Sequence, residues 1–135
     1  MRIVPFAIRL AVAATVAESG YVHAKLYIHD YRFIPHIGPM FLLQAAVSFA
    51  LAALLLLGGP LILQVAAAGT ALGALGGFVL SRTIGILGFT ERGFQPQPDA
   101  LLSVLSEIAT LGMLAAWWIY LRRQRGRAGV TRTSI

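Results

Sequence analysis

The chain has 135 residues, of which 58% are hydrophobic and only 12% charged, against about a quarter charged in ordinary soluble proteins. Eleven Lys and Arg against five Asp and Glu give a net charge of +6, and there is no cysteine. That excludes disulfides, thiolate metal sites, iron–sulfur ligation and a CxxC redox couple, and the space taken by apolar segments leaves no room for a separate soluble domain.

A spanning helix needs about 20 mostly apolar residues, and four stretches qualify, at about 6–25, 39–58, 60–81 and 100–121. They predict an all-α, four-helix transmembrane bundle over residues 1–121, followed by a basic cytoplasmic tail, 122–135. The first span starts behind Arg2 and Arg9 and is the most polar. Val22-His23-Ala24 resembles a signal-peptidase site behind a basic start, but Glu18 and Ser19 interrupt the apolar region late, which favours a retained span.

Span two is the cleanest apolar segment, and Gly58-Gly59-Pro60 leaves room only for a tight hairpin, so spans two and three are antiparallel neighbours. Span three carries Gly69, Gly73, Gly76 and Gly77, a small-residue stripe that predicts close helix packing, with a ligand groove as the alternative. From Arg82 to Ala100 three Gly, two Pro and mixed charges predict a loop, with Asp99 placed as the N-cap of span four.

Span four ends in Trp117, Trp118 and Tyr120, an aromatic belt against Arg122, Arg123, Arg125, Arg127 and Arg132. Basic residues mark the cytoplasmic side, so this anchor places both termini in the cytoplasm. The segments near 25–38 and 82–99 then face outward, and the protein is expected as a multi-pass component of the plasma membrane.

Ionisable groups within a span are costly and point to function. Glu18 in span one and Glu107, about 12 Å along span four from Asp99, are two such groups. With Ser19, His23, Gln44, Ser48, Arg82 and Ser103 they define a candidate polar pocket in the outer half, while the inner half reads as nearly apolar. Arg82 is the expected partner of Glu18 or Glu107, and a dry ion-pair network with interhelical hydrogen bonds is the structural alternative to a pocket.

His23, His29 and His36 fall in one outward segment, and imidazole suits zinc, copper or haem iron. Their intervals of six and seven match no same-face helical pairing, so they read first as interfacial residues beside Tyr21, Tyr27, Tyr31 and Phe33. No metal or cofactor is required by the sequence, although a quinone or haem fits the pocket reading. There is no nucleophile elbow, phosphate-binding glycine loop, zinc-protease helix or dinucleotide fingerprint, which leans against an enzyme, and the basic tail suits anionic lipid rather than nucleic acid.

An Arg-led first span ending in Ser19-Gly20-Tyr21-Val22-His23, an outward segment with Pro35, a tight inner hairpin and four spans in this length resemble the DoxX-like small membrane proteins and uncharacterised actinobacterial four-helix relatives. The resemblance implies a quinone-linked or partner-protein role in a membrane complex, without the sulfur redox chemistry that cysteine would supply. The leading expectation is an accessory or structural subunit with a protein partner or a homo-oligomeric state in the bilayer. The alternatives are a ligand-binding or redox protein using the polar pocket, and a proton-linked transporter formed by an oligomer.

Overall fold

A computed structural model describes residues 3–132, with side chains described as far as Arg127. Arg2 and the side chain of Arg132 lie outside the described residues. Four helices form: α1 (Ile3–Leu26), α2 (Ile37–Leu57), α3 (Leu61–Arg82) and α4 (Asp99–Arg132). All four are long and apolar enough to cross a membrane, and among the described residues strand pairing is limited to one isolated bridge, Ile86 with Phe89. Apolar side chains such as Leu43, Leu57 and Leu72 cover the bundle exterior, as a lipid-facing surface requires.

Two boundaries differ from the sequence expectation. The first span does not stop near residue 25 but runs on through a π-helical turn, Tyr27–Tyr31, in which the Arg32 amide donates to the Tyr27 carbonyl at 3.0 Å. It ends ahead of Pro35, which cannot continue the amide ladder. The fourth helix continues past residue 121 to Arg132, since no proline interrupts the arginine-rich stretch and Arg is a good helix former.

Two connections set the geometry. In the α2–α3 hairpin, extended Gly58 and Pro60 deliver the chain into α3, with the Leu63 amide donating to the Pro60 carbonyl at 3.1 Å. Gly59 is demanded by packing: a β-carbon there would lie 2.5 Å from the Trp117 ring. In the first turn of α2, Gly38 is pressed against the Tyr31 and Arg32 carbonyls, where a β-carbon would sit 2.8 Å from each.

α1 is the central element, packed along α2 and α4, while α3 contacts α2 and α4 less extensively. One core cluster at the hairpin end joins Val12, Val16, Leu51, Leu55, Leu114 and Trp117, and a second at the loop end joins Val22, Leu26, Tyr31 and Ile37. The α1–α2 seam is built on small residues, Ala13 and Gly20 facing Ala45, Ser48 and Ala52, all buried. A β-carbon on Gly20 would meet Ser48 at 3.1 Å, the close approach that helix pairs in lipid use in place of a hydrophobic drive.

The glycines of α3 do not serve that purpose. Nothing lies within 4 Å of a β-carbon built on Gly69, Gly73, Gly76 or Gly77, and Gly69, Gly73 and Gly76 are exposed. The buried residues of α3 are Gln64, Ala67, Ala71 and Ser81, and Gly69 and Gly73 each lie two residues on, about 200° around the helix. The expected glycine packing face is therefore open within this chain.

Candidate functional site

The polar residues of the loop-end half separate into three groups with different surroundings. The first is a seam between the antiparallel helices α1 and α4. Ser19 donates its hydroxyl to Glu107 Oε1 at 2.6 Å, Thr110 donates to Thr15 Oγ1 at 2.8 Å, and Lys25 pairs with Asp99 at 2.9 Å. These contacts fall at successive heights because residues advance along α1 as they recede along α4. Glu107 is 2% exposed and no cationic side chain pairs with it among the described residues.

Asp99 is the first residue of α4 rather than its N-cap, and its carboxylate is turned to Lys25. The helix start is stitched instead by the Ala100 amide donating to the Pro96 carbonyl and the Leu102 amide to the Pro98 carbonyl, at 2.9 and 3.0 Å.

The second group surrounds a cavity of about 360 Å³ bounded by all four helices and the 83–98 loop. Of the eight residues expected to form a polar pocket, His23, Gln44, Arg82 and Ser103 line it. Its walls are largely apolar, with Phe41, Phe78 and Phe89 prominent, and Gly73 and Gly77 form part of its α3 side. The missing β-carbons of the glycine stripe thus widen a cavity instead of drawing two helices together.

Arg82 does not neutralise Glu18 or Glu107. It pairs with Glu91 at 2.8 Å, donates to the Gly93 and Gln95 carbonyls at 3.0 and 2.6 Å and to Ser81 Oγ at 2.6 Å, and lies 4.0 Å over the Phe78 ring. Tyr31 donates its hydroxyl to the same Glu91. The guanidinium is therefore committed to holding the loop across the cavity end and has little capacity left for an anionic ligand.

The capacity that remains is of another kind. His23 Nδ1 faces the Ser19 carbonyl at 2.9 Å; a carbonyl only accepts, so Nδ1 carries the proton and Nε2 is left as an acceptor. Gln44 uses its amide nitrogen on the Thr70 carbonyl at 3.2 Å, which leaves its side-chain oxygen accepting. Ser103 makes no side-chain hydrogen bond among the described residues. Two unused acceptors and one hydroxyl therefore belong to residues lining an apolar-walled cavity.

The third group is outside that cavity. Ser48 is buried between α1 and α2 and its hydroxyl has no hydrogen-bond partner among the described residues, while Glu18 is on the exposed side of α1. His29 and His36 are also exposed, with His29 Nδ1 donating to the Lys25 carbonyl at 2.9 Å. The three histidines are not gathered, and among the described residues no cluster of three or more His, Asp or Glu is placed to hold a metal ion.

At the hairpin end the expected aromatic belt is divided. Trp117 is 5% exposed, a core residue, and Trp118 donates its indole N–H to Gln64 Oε1 at 2.6 Å. Gln64 in turn donates to the Gly59 carbonyl at 2.7 Å, so a buried amide sits in the half read as apolar. Tyr120 is half-buried, and Arg122 and Arg123 are exposed beyond it. Comparison with protein-family models, curated proteins and solved structures finds no match for this chain.

Proposed function

We propose that this is a multi-pass protein of the plasma membrane that binds an uncharged amphipathic molecule in the loop-end cavity, with the loop end outward and the arginine-rich C-terminal helix in the cytoplasm. The observation that carries the reading is the pairing of an apolar-walled volume of about 360 Å³ with unused hydrogen-bonding capacity at His23, Gln44 and Ser103. Ligand sites are commonly apolar pockets with a few oriented polar groups. Acceptors select a head group that donates, so the ligand class is a lipid-soluble molecule bearing a hydroxyl, which includes the reduced form of a quinone. A carboxylate or phosphate head finds the nearby guanidinium already satisfied by Glu91 and the loop carbonyls.

The reading is tested by thermal unfolding in mild detergent with oleyl alcohol and oleate as paired probes, together with mass spectrometry of molecules extracted from the protein purified from native membranes. Stabilisation by the alcohol and not by the carboxylate, lost in His23→Phe and Gln44→Leu, is the expected result. Equal effects of the two probes, or effects unmoved by those substitutions, would overturn it. A visible absorption band from haem on His23 would replace the hydroxyl-headed ligand with a cofactor.

A second reading, an accessory subunit of a membrane complex, is favoured by the open face of α3 at Gly69, Gly73 and Gly76, where another protein's helix could approach the backbone closely. Co-purification of one stoichiometric partner, lost on Gly69→Leu, supports that reading.

A further inference from the structure

Glu18 is an ionisable group left without a partner among the described residues. Its side chain is on the exterior of α1, exposed, without a hydrogen bond or ion pair to any described residue. Because the first span runs from Ile3 through the π-helical turn to Tyr31, Glu18 is deeper than a helix ending near residue 25 would place it. The nearest cationic residues along α1 are Arg9, about 14 Å towards the hairpin end, and Lys25, about 10 Å towards the loop end. A carboxyl near the middle of an apolar span that faces neither the bundle interior nor a cavity is the arrangement membrane proteins avoid.

The same face supplies what the carboxyl lacks. Tyr21, one turn on, is 57% exposed, and its phenol hydroxyl has no partner among the described residues. Ala7 and Ala14 are exposed on this stripe and Leu10 lies beside them, so a second helix meets little bulk on approach. With the arginine-rich C-terminal end of every copy held on the cytoplasmic side, as in the orientation proposed above, all copies share one direction across the bilayer. In a two-fold pair with its axis along the membrane normal, the two α1 helices are therefore parallel and equal residue numbers meet at equal depth.

Long side chains on a helix lean towards its N-terminus. The roughly 4.5 Å rise between residues 18 and 21 is therefore recovered by the tyrosine ring, which brings its hydroxyl to the level of the other copy's carboxyl. We infer that the chain self-associates as a parallel two-fold dimer through the outer face of α1, the Glu18 carboxyl of each copy accepting the Tyr21 hydroxyl of the other. The acceptor and donor are both supplied by this chain, on one face and one turn apart, and the contact is made twice by symmetry. The inference is independent of what occupies the cavity.

The absence of cysteine gives a clean test. In phosphatidylcholine vesicles at low protein-to-lipid ratio, Ala14→Cys should form a disulfide-linked dimer on oxidation, because the two α-carbons must come within about 7 Å. Leu43→Cys on the exterior of α2 and Val65→Cys on the exterior of α3 should remain monomeric. Adding Glu18→Leu or Tyr21→Phe to Ala14→Cys should each lower self-association about tenfold, the loss of two modest interhelical hydrogen bonds.

Neither substitution removes a side-chain hydrogen bond to a described residue, so folding is preserved, as circular dichroism of each variant would show. Cross-linking of all three cysteines to similar extents, a monomeric Ala14→Cys, or an Ala14→Cys dimer insensitive to both substitutions would overturn the proposal. In native membranes, capture of a different protein at Ala14→Cys without self-linking would do the same.

Discussion

Ser19 and Glu107, eighty-eight residues apart in sequence, meet at 2.6 Å across the α1–α4 seam, and among the described residues the serine hydroxyl is the one side-chain donor to the buried carboxyl. The expected cation, Arg82, is committed elsewhere, so Ser19 and Glu107 form a polar contact between helices rather than part of an ion-pair network. Interhelical hydrogen bonds in membrane bundles contribute about 0.6 kcal/mol on average and up to about 1.7. Ser19→Ala should therefore destabilise the protein by about 1 kcal/mol. Glu107→Gln, which keeps an oxygen to accept from Ser19, should change stability by less than about 0.5 kcal/mol. Unfolding in mixed micelles, run as a double-mutant cycle with Ser19→Ala and Glu107→Leu, should show a coupling near 1 kcal/mol, and zero coupling would mean that the contact is not made.

Arg82 fastens the 83–98 loop by bonds to Glu91, Gly93 and Gln95 together, and the Glu91 amide returns to the Ser81 carbonyl at 2.9 Å. Arg82→Ala should release this attachment, and hydrogen exchange at the Glu91 amide should accelerate about tenfold or more while amides in the middle of α1 are unchanged. Arg82→Lys should fail to restore protection, because an ammonium on a flexible stem cannot hold three acceptors in the fan that a guanidinium forms. Full protection in the lysine variant would reduce the role of Arg82 to its charge.

The four spans were legible because length and uninterrupted apolarity decide whether a segment can cross a bilayer, and both are local properties. The hairpin at Gly58-Gly59-Pro60 was legible for the same reason. The direction in which a helix face turns was less so. Span three has apolar or small residues on every side, and the glycine stripe at Gly69, Gly73 and Gly76 read as a packing face although Ala67 and Ala71 are the buried residues. The glycine that lets α1 and α2 approach closely is Gly20, next to the polar residue Ser19 and without a repeat to advertise it.

The candidate site was legible in composition and not in pairing. His23, Gln44, Arg82 and Ser103 do line one cavity, but the partner of Arg82 is Glu91, which lies in a segment read only as a loop. Gln64 and Trp118 meet across fifty-four residues, and no local pattern marks a contact of that range. Tyr31 was placed among interfacial aromatics, yet it is 4% exposed because the π-helical turn carries α1 further than its apolar pattern suggested.

The Lys25–Asp99 pair closes the loop end of the α1–α4 seam at 2.9 Å, with side chains 39% and 13% exposed. An ion pair this accessible is weak and is screened by salt. Lys25→Met should therefore lower the melting temperature slightly at low ionic strength, and the two melting temperatures should converge in about 1 M sodium chloride. Asp99 keeps a favourable position in the first turn of α4, where a carboxylate complements the helix dipole, so Asp99→Asn should cost more than Lys25→Met. The reverse order in thermal unfolding would assign the stabilisation to the lysine.

Two glycines on neighbouring elements should respond oppositely to one methyl group. At Gly59 the added β-carbon would lie 2.5 Å from Trp117 and 3.2 Å from Arg9 Cδ. The tryptophan cannot move freely, since it is packed in the hairpin-end core with Leu55 and Leu114. Gly59→Ala should destabilise by about 1–3 kcal/mol, the usual cost of forcing extra volume into a packed site. At Gly73 nothing lies within 4 Å and the backbone is helical, so Gly73→Ala meets no obstacle. It gains up to about 1 kcal/mol from the lower backbone freedom of alanine in the unfolded chain. Melting temperatures of the two variants in the same detergent should fall on opposite sides of that of the unmodified protein, and a destabilised Gly73→Ala would show that α3 has a close neighbour in the assembled membrane form.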